Sequence, residues 1–330
     1  MNGYERYFAT LDGGTPDHPA RTPILMRWAA EHIGQAYGAF VSDHRVLVEA
    51  NLRCARDLGI DQVSAISDPL RETAGFGGKV AIHPQTGASC EEPPLAAALD
   101  LALLQRPDPA SSLRMRDRVE AVRLFKAKVG GEYSILGWVE GPLAEAADLR
   151  RMDNLFMDLF DGDEEVAALL DVCTDVAIDF ARAQVEAGAD TIGVGDAAAS
   201  QISADLYEEW VWPREKRLVE AIHAMGARVK LHICGNITHL LPGIARLGLD
   251  VLDVDHLVDL ATVRAAVGPK VALAGNVDPV KGVMQARPDA IRTAVAACRE
   301  RAAGPFLVNA GCEIPAGTPL ENLRAFCQPL

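Results

Sequence analysis

Two soft metal donors stand two residues apart in the stretch Val229-Lys230-Leu231-His232-Ile233-Cys234-Gly235. Apolar residues alternate with them, so the stretch reads as a strand, and a strand's period of two turns His232 and Cys234 to the same face. A third donor, Cys312, ends another short apolar run far along the chain. One histidine with two cysteines suits zinc, and catalytic zinc sites use three protein ligands while keeping a fourth position open. Each half of the set also has an ordinary reading, a chance His-x-Cys on a strand and a buried thiol. The deciding property is convergence of all three side chains at one point. His239, His256 and Glu313 are further donors that could compete for the fourth position, with a satisfied polar contact as the plain reading of either histidine.

Convergence has to come from the elements that carry these residues. Apolar runs of strand length recur at 24–28, 62–67, 135–141, 191–196, 229–235, 251–255, 271–276 and 306–312, each followed by enough chain for a helix. A glycine precedes almost every run: Gly59, Gly131, Gly188, Gly226, Gly248, Gly268 and Gly304. Glycine ends a helix in the left-handed conformation and turns the chain into the next strand. Eight βα units of this kind predict an α/β fold, a (β/α)8 TIM barrel, as one domain over 1–330. The long stretch 68–133 between the second and third strands is expected to be an elaborated loop region over the barrel mouth. No Gly-x-Gly-x-x-Gly follows the first strand, so a dinucleotide site has no support.

In a TIM barrel the chemistry gathers where strands end, because the βα loops surround one pocket there. The predicted strand ends present Arg27 and Trp28, Ser67 and Asp68, Glu140, Asp196, His232 and Cys234, Asp253 with Asp255 and His256, Asn276 with Asp278, and Cys312 with Glu313. Arg27 could bind an anionic group of a substrate. Asp68, Glu140, Asp196 and Asn276 could orient a second substrate or support His232. Their plain reading is that strand-end Asp and Asn cap the helices that follow them.

Bulk properties narrow the function classes. With 49% hydrophobic and only 5% aromatic residues in 330, the chain has ample aliphatic material for one large core. A formal charge of −14 disfavours nucleic acid and anionic lipid surfaces, which attract clustered basic faces. No apolar run approaches the ~20 residues of a membrane span, and the first residues lack the apolar core of a signal peptide, so a cytoplasmic location is expected. The seven cysteines are odd in number and scattered, which fits reduced thiols better than a disulfide framework. Cys54, Cys173 and Cys298 lie in apolar helical stretches and are expected to be small packing residues.

Several segments resemble the uroporphyrinogen decarboxylase superfamily over nearly the whole chain. They are Ser67-Asp68-Pro69, Gly137-Trp138-Val139-Glu140-Gly141-Pro142, Asp196-Ala197-Ala198-Ala199-Ser200, Tyr207-Glu208-Glu209-Trp210-Val211-Trp212-Pro213, Gly275-Asn276-Val277-Asp278-Pro279 and Thr318-Pro319-Leu320-Glu321-Asn322-Leu323. Tetrapyrrole decarboxylases of that superfamily carry an arginine-rich segment after the first strand and Gly-His-Gly after the eighth. Here Met26-Arg27-Trp28-Ala29-Ala30 and Gly311-Cys312-Glu313-Ile314-Pro315 stand instead. His232-Ile233-Cys234-Gly235 with Gly311-Cys312-Glu313 is similar to the methylcobamide:coenzyme M methyltransferase branch.

That resemblance implies zinc bound by His232, Cys234 and Cys312, and transfer of a methyl group from a methylated corrinoid to a thiol acceptor held as a zinc thiolate. The corrinoid would leave as cob(I)alamin, and the acceptor would be coenzyme M-like or homocysteine-like. No Asp-x-His-x-x-Gly corrinoid-binding motif occurs, so the corrinoid would arrive free or on a separate protein. Alternatives are the reverse reaction, demethylating a substrate to load a corrinoid protein, and a decarboxylase-like lyase. A corrinoid-binding module without turnover, its metal closed by a fourth protein ligand, is a reading of a different class.

Overall fold

Parallel strands covered by helices on one side and closed around a filled interior on the other have no wet face, which is why their sequences run almost continuously apolar. The computed structural model, which describes residues 1–162 and 164–329, bears this out. In chain order the strands are β1 (Gln62–Ser64), β2 (Lys79–His83), β3 (Gly87–Glu92), β4 (Ser134–Glu140), β5 (Thr191–Gly195), β6 (Arg228–Ile233), β7 (Val251–Val254), β8 (Ala272–Val277) and β9 (Phe306–Ala310). Every residue of β4, β5, β7 and β9 is buried. Seven strands form one parallel sheet in the order β1-β4-β5-β6-β7-β8-β9, and β2 and β3 form a separate antiparallel hairpin.

The expected first strand at 24–28 is a correction. Trp28 belongs to the helix Arg27–His32, and the pairing occurs earlier, at the isolated parallel bridge Arg21↔Val308. Val308 N donates to Ala20 O and Thr22 N to Val308 O, both at 2.8 Å, while Asp61 N donates to Arg21 O at 2.9 Å on the other side. Pro19 and Pro23 flank this stretch and lack the N–H that a longer ladder would need. Residues 20–22 thus close the sheet into a barrel between β9 and the segment entering β1. The Asp61 carboxylate reinforces the seam, accepting Arg21 N at 2.7 Å and Arg21 Nε at 3.0 Å and pairing with Arg6.

The bottom of the barrel is plugged by the helix Gly3–Leu11, whose fully buried Tyr7 packs on Ala20, Val251, Ala272, Ala274 and Leu307. Higher up, Trp138 on β4 fills the interior against Gly193 and Gly195 of β5. A Cβ on Gly193 would lie 2.2 Å from the indole, so only glycine admits the tryptophan. Six of the seven glycines expected at helix ends have φ between 68° and 117°; before β9 the left-handed residue is Ala303, with φ 45°, rather than Gly304.

Within 68–133 the chain forms the helix Leu70–Gly75, the β2–β3 hairpin, and the helix Leu113–Val129. That last helix packs between His44–Leu58 and Glu164–Ala187 in the outer ring, so the excursion proper ends near Ser112. Among the described residues no helix is long and apolar enough to cross a membrane.

Candidate metal centre and its cavity

Strand β6 carries Lys230 and His232 to the barrel interior, and Cys234 follows in the loop that leaves it. Gly235 N donates to Asp255 Oδ2 at 2.9 Å, which ties this loop to the end of β7. Cys312 lies just past β9. The three donors meet: His232 Nε2 is 3.2 Å from Cys234 Sγ, and Cys234 Sγ is 3.7 Å from Cys312 Sγ. A tetrahedral zinc with Zn–S near ~2.3 Å sets sulfur ligands ~3.8 Å apart and a nitrogen–sulfur pair ~3.5 Å apart. The donor set therefore fits the ion in chemical type and in spacing. All three ligand atoms fall within 4.8 Å of one another.

The electrostatics favour a thiolate here even from the protein's own groups. The hydrogen bond between the two thiols holds Cys312 well below the ordinary thiol range and pushes Cys234 up. Burial opposes a charged His232 ring, but the hydrogen bond to Cys312 and the Asp253 charge outweigh it and raise its pKa.

Behind His232 lies a polar network inside the barrel. His232 Nδ1 sits 3.3 Å from Asp253 O and 3.7 Å from Asp253 Oδ2. The Asp253 carboxylate is fully buried, bonded by Lys230 Nζ at 2.7 Å and by Asn309 Nδ2 at 2.9 and 3.0 Å. Because β8 separates β7 from β9 in the sheet, the Asn309–Asp253 contact must cross the interior. Lys230 and Asn309 were not among the residues singled out from the sequence. The available signal was a polar residue at every second position of otherwise apolar strands, Lys230 before His232 and Asn309 within β9.

His232, Cys234 and Cys312 share a cavity of about 160 Å³ with Asp68, Glu140 and Glu313 and with the apolar side chains of Ile24, Met26, Ile66, Pro69, Trp138 and Ala197. Asp68 is held by Arg114, Nη1–Oδ1 3.0 Å and Nη2–Oδ2 2.8 Å. Burial works against the Asp68 charge, but that guanidinium keeps the carboxyl below its usual range. Glu140 Oε1 accepts from Arg71 Nη2 at 2.8 Å and Trp138 Nε1 at 3.0 Å. Burial pushes Glu140 well up in spite of Arg71, since Glu72 and Asp148 lie nearby. Glu313 Oε1 accepts Arg27 N at 3.0 Å.

Three of the expected substrate-binding residues lie outside the cavity lining. Arg27 contributes its backbone to Glu313, but its guanidinium turns outward to Glu31, Nε–Oε1 2.9 Å. Asp196 is fully buried and accepts Leu143 N at 3.3 Å and Ala144 N at 2.7 Å, capping the helix Pro142–Arg150 from the neighbouring strand. Asn276 donates to Asp255 O at 3.1 Å and Val258 O at 2.6 Å, with its oxygen toward the Cys298 thiol of the outer helix Pro288–Ala302. His239 bonds Ile202 O at 2.9 Å, and His256 sits between Asp255 and Asp278, so neither belongs to the cluster of metal donors.

A methylcobamide:CoM methyltransferase of Methanosarcina mazei is 35% identical over 208 residues, 62% of this chain and 60% of that protein. The chain spans about 60–65% of the length of the methylcobamide:CoM methyltransferases it matches. A uroporphyrinogen decarboxylase of Syntrophotalea carbinolica is 27% identical over 319 residues, 92% of this chain and 91% of that one. Among solved structures, a methyltransferase from Methanosarcina mazei superposes with a TM-score of 0.90 at 23% identity, covering 99% of this chain and 97% of that one, which confirms the barrel. The uroporphyrinogen decarboxylase family model matches residues 3–329, and on that match the chain belongs to the uroporphyrinogen decarboxylase (URO-D) family.

Proposed function

We propose that the chain is a corrinoid-dependent methyltransferase that moves a methyl group between a methylated corrinoid and a small thiol, with zinc held by His232, Cys234 and Cys312. The observation that carries this reading is the meeting of one imidazole and two thiols, 3.2 and 3.7 Å apart, in a cavity at the strand ends. Zinc bound there would stabilise the acceptor thiol as its thiolate at neutral pH.

The protein's own groups divide the remaining work. Asp253, itself fixed by Lys230 and Asn309, holds His232 with Nε2 toward the cysteines. Trp138 and the aliphatic side chains exclude water from one wall of the cavity, which keeps a nucleophilic sulfur poorly solvated. The cavity accommodates a small thiol but not a corrin macrocycle, so the methyl group would be presented from the open mouth. The similarity to methylcobamide:CoM methyltransferases supports the donor class. A tetrapyrrole decarboxylase would need several cations facing the substrate's carboxylates, whereas Arg27, Arg71 and Arg114 are engaged by protein carboxylates.

The test is spectroscopic. Zinc-loaded protein should demethylate methylcobalamin in the presence of a small thiol, and the protein stripped of metal should not. Equal rates with and without metal would overturn the reading.

A further inference from the structure

The barrel wall is incomplete at its seam. Among the described residues one backbone hydrogen bond joins 20–25 to 60–66, from Asp61 N to Arg21 O at 2.9 Å. Farther along, Pro23 has no N–H to offer, and Ser64 N is taken by Asn51 Oδ1 of the helix His44–Leu58 at 3.1 Å. The ladder stops there. The two segments part around a cavity of about 20 Å³ whose polar lining is Thr22, Asn51, Gln62, Ser64 and Lys230.

Three groups of that lining have bonding capacity left over. Thr22 is 3% exposed, and its Oγ1 has no hydrogen-bond partner among the described residues. Lys230 is as deeply buried, and its pairing with Asp253 Oδ2 at 2.7 Å uses one of the three N–H bonds of an ammonium. Ser64 Oγ accepts Ile66 N at 3.1 Å and still carries its own O–H. Asn51 and Gln62 are engaged elsewhere, Asn51 Nδ2 with Leu47 O at 3.0 Å and Gln62 Nε2 with Ser134 Oγ at 3.1 Å. A buried hydroxyl or ammonium without partners costs free energy. A cavity of this size takes one water, and a buried water makes about three hydrogen bonds, which matches the three groups with capacity to spare.

We infer that the seam binds one internal water, which accepts a hydrogen bond from Lys230 Nζ and is bonded to the hydroxyls of Thr22 and Ser64. Thr22 is thereby a positioning residue for Lys230, and through Asp253 for His232. The same molecule fills the place where Pro23 ends the ladder, so barrel closure and the network behind the metal donors share it. The water follows from the seam alone and does not depend on which metal the donors hold.

A crystal structure of the full chain that resolves ordered solvent should show density within hydrogen-bond distance of Thr22 Oγ1, Ser64 Oγ and Lys230 Nζ. An empty cavity, or a Thr22 hydroxyl turned to a protein acceptor, would overturn the inference. Thr22→Val supplies a second test, and its sign discriminates, because valine keeps the shape of threonine and lacks the hydroxyl. Loss of a hydrogen bond to water should raise the unfolding equilibrium constant roughly fivefold, whereas removal of an unpartnered hydroxyl should lower it. The Lys230 ammonium gives the spectroscopic signature. Its 1H–15N signal, assigned by its absence from the double variant Lys230→Met with Asp253→Leu, should shift in Thr22→Val and keep its wild-type position in Thr22→Ser. A stabilised Thr22→Val, or a Lys230 signal indifferent to it, refutes the bridging water.

Discussion

The sulfur atoms of Cys234 and Cys312 lie 3.7 Å apart although 78 positions separate the residues in the chain. One thiol follows β6 and the other β9, with two strands between them in the sheet, so only a closed barrel with a common mouth can bring them together. A contact of this kind is informative because two reduced thiols at that distance stand at the spacing of two ligands of one tetrahedral zinc.

Metal content follows directly. Wild-type protein should carry one zinc per chain by elemental analysis, and Cys234→Ala or Cys312→Ala, purified identically, should lose most of it. His232→Ala should do the same. Retention of a full equivalent in either cysteine variant would place the metal elsewhere.

Asp253 links stability to metal affinity. Asp253→Ala leaves the Lys230 ammonium, 1% exposed, without its carboxylate and should cost ~3–5 kcal/mol in chemical denaturation. The double substitution Lys230→Met with Asp253→Leu removes both charges and should recover most of that loss. Zinc affinity, measured by chelator competition, should remain up to ~10-fold weak in both variants, because the carboxylate 3.7 Å from His232 Nδ1 is gone while the closer contact to the backbone Asp253 O stays. Full recovery of affinity in the double variant would remove the positioning role of Asp253.

Gly141 is the point where the Asp196 cap meets the end of β4. A Cβ there would lie 2.5 Å from the Asp196 carboxylate, whose hydrogen bonds to Leu143 N and Ala144 N start the helix Pro142–Arg150. Gly141→Ala should destabilise by ~2 kcal/mol, through overpacking and a displaced cap. An unchanged melting temperature would show that the carboxylate relocates without cost.

Asp148 should impose a pH dependence on stability. Burial, then the charges of Glu72 and Asp68, push its carboxyl from 3.8 up to about 7. The folded protein thus binds a proton that the unfolded chain releases. The associated stability is fully present below the unfolded value and is lost as pH rises through the folded one. Between about pH 4 and about pH 8 the wild type should lose on the order of 2 kcal/mol more than Asp148→Asn, after allowance for partial exposure. Parallel curves for the two proteins would rule the effect out.

The barrel was legible in the sequence because its strands are buried on both faces. Seven of the eight apolar runs begin within a residue of an observed strand, and the glycines before them mark the helix ends. The run at 24–28 misled because apolar content does not distinguish a strand from the entry to a helix, and the actual bridge uses the polar pair Arg21 and Thr22 between two prolines.

At the site, a period of two sufficed to put His232 and Cys234 together, and their meeting with Cys312 follows from the barrel. The direction of Arg27 was not legible, since it opens a helix where a rotation of one residue separates the cavity from solvent. Nor was the destination of Asp196, which caps a helix that begins on the neighbouring strand, a partnership no local spacing encodes.

The seam between residues 20–22 and β9 has a consequence for biosynthesis. Its two sides are nearly 290 positions apart, joined by the bridge Arg21↔Val308. A nascent chain therefore holds an open parallel sheet, with unpaired edges at residues 20–22 and at whichever strand emerged last, until β9 has left the ribosome. Such edges recruit other chains. The interval before ring closure is when this protein is most exposed to misassembly, and a holdase that shields residues 20–22 would act at the moment it is needed.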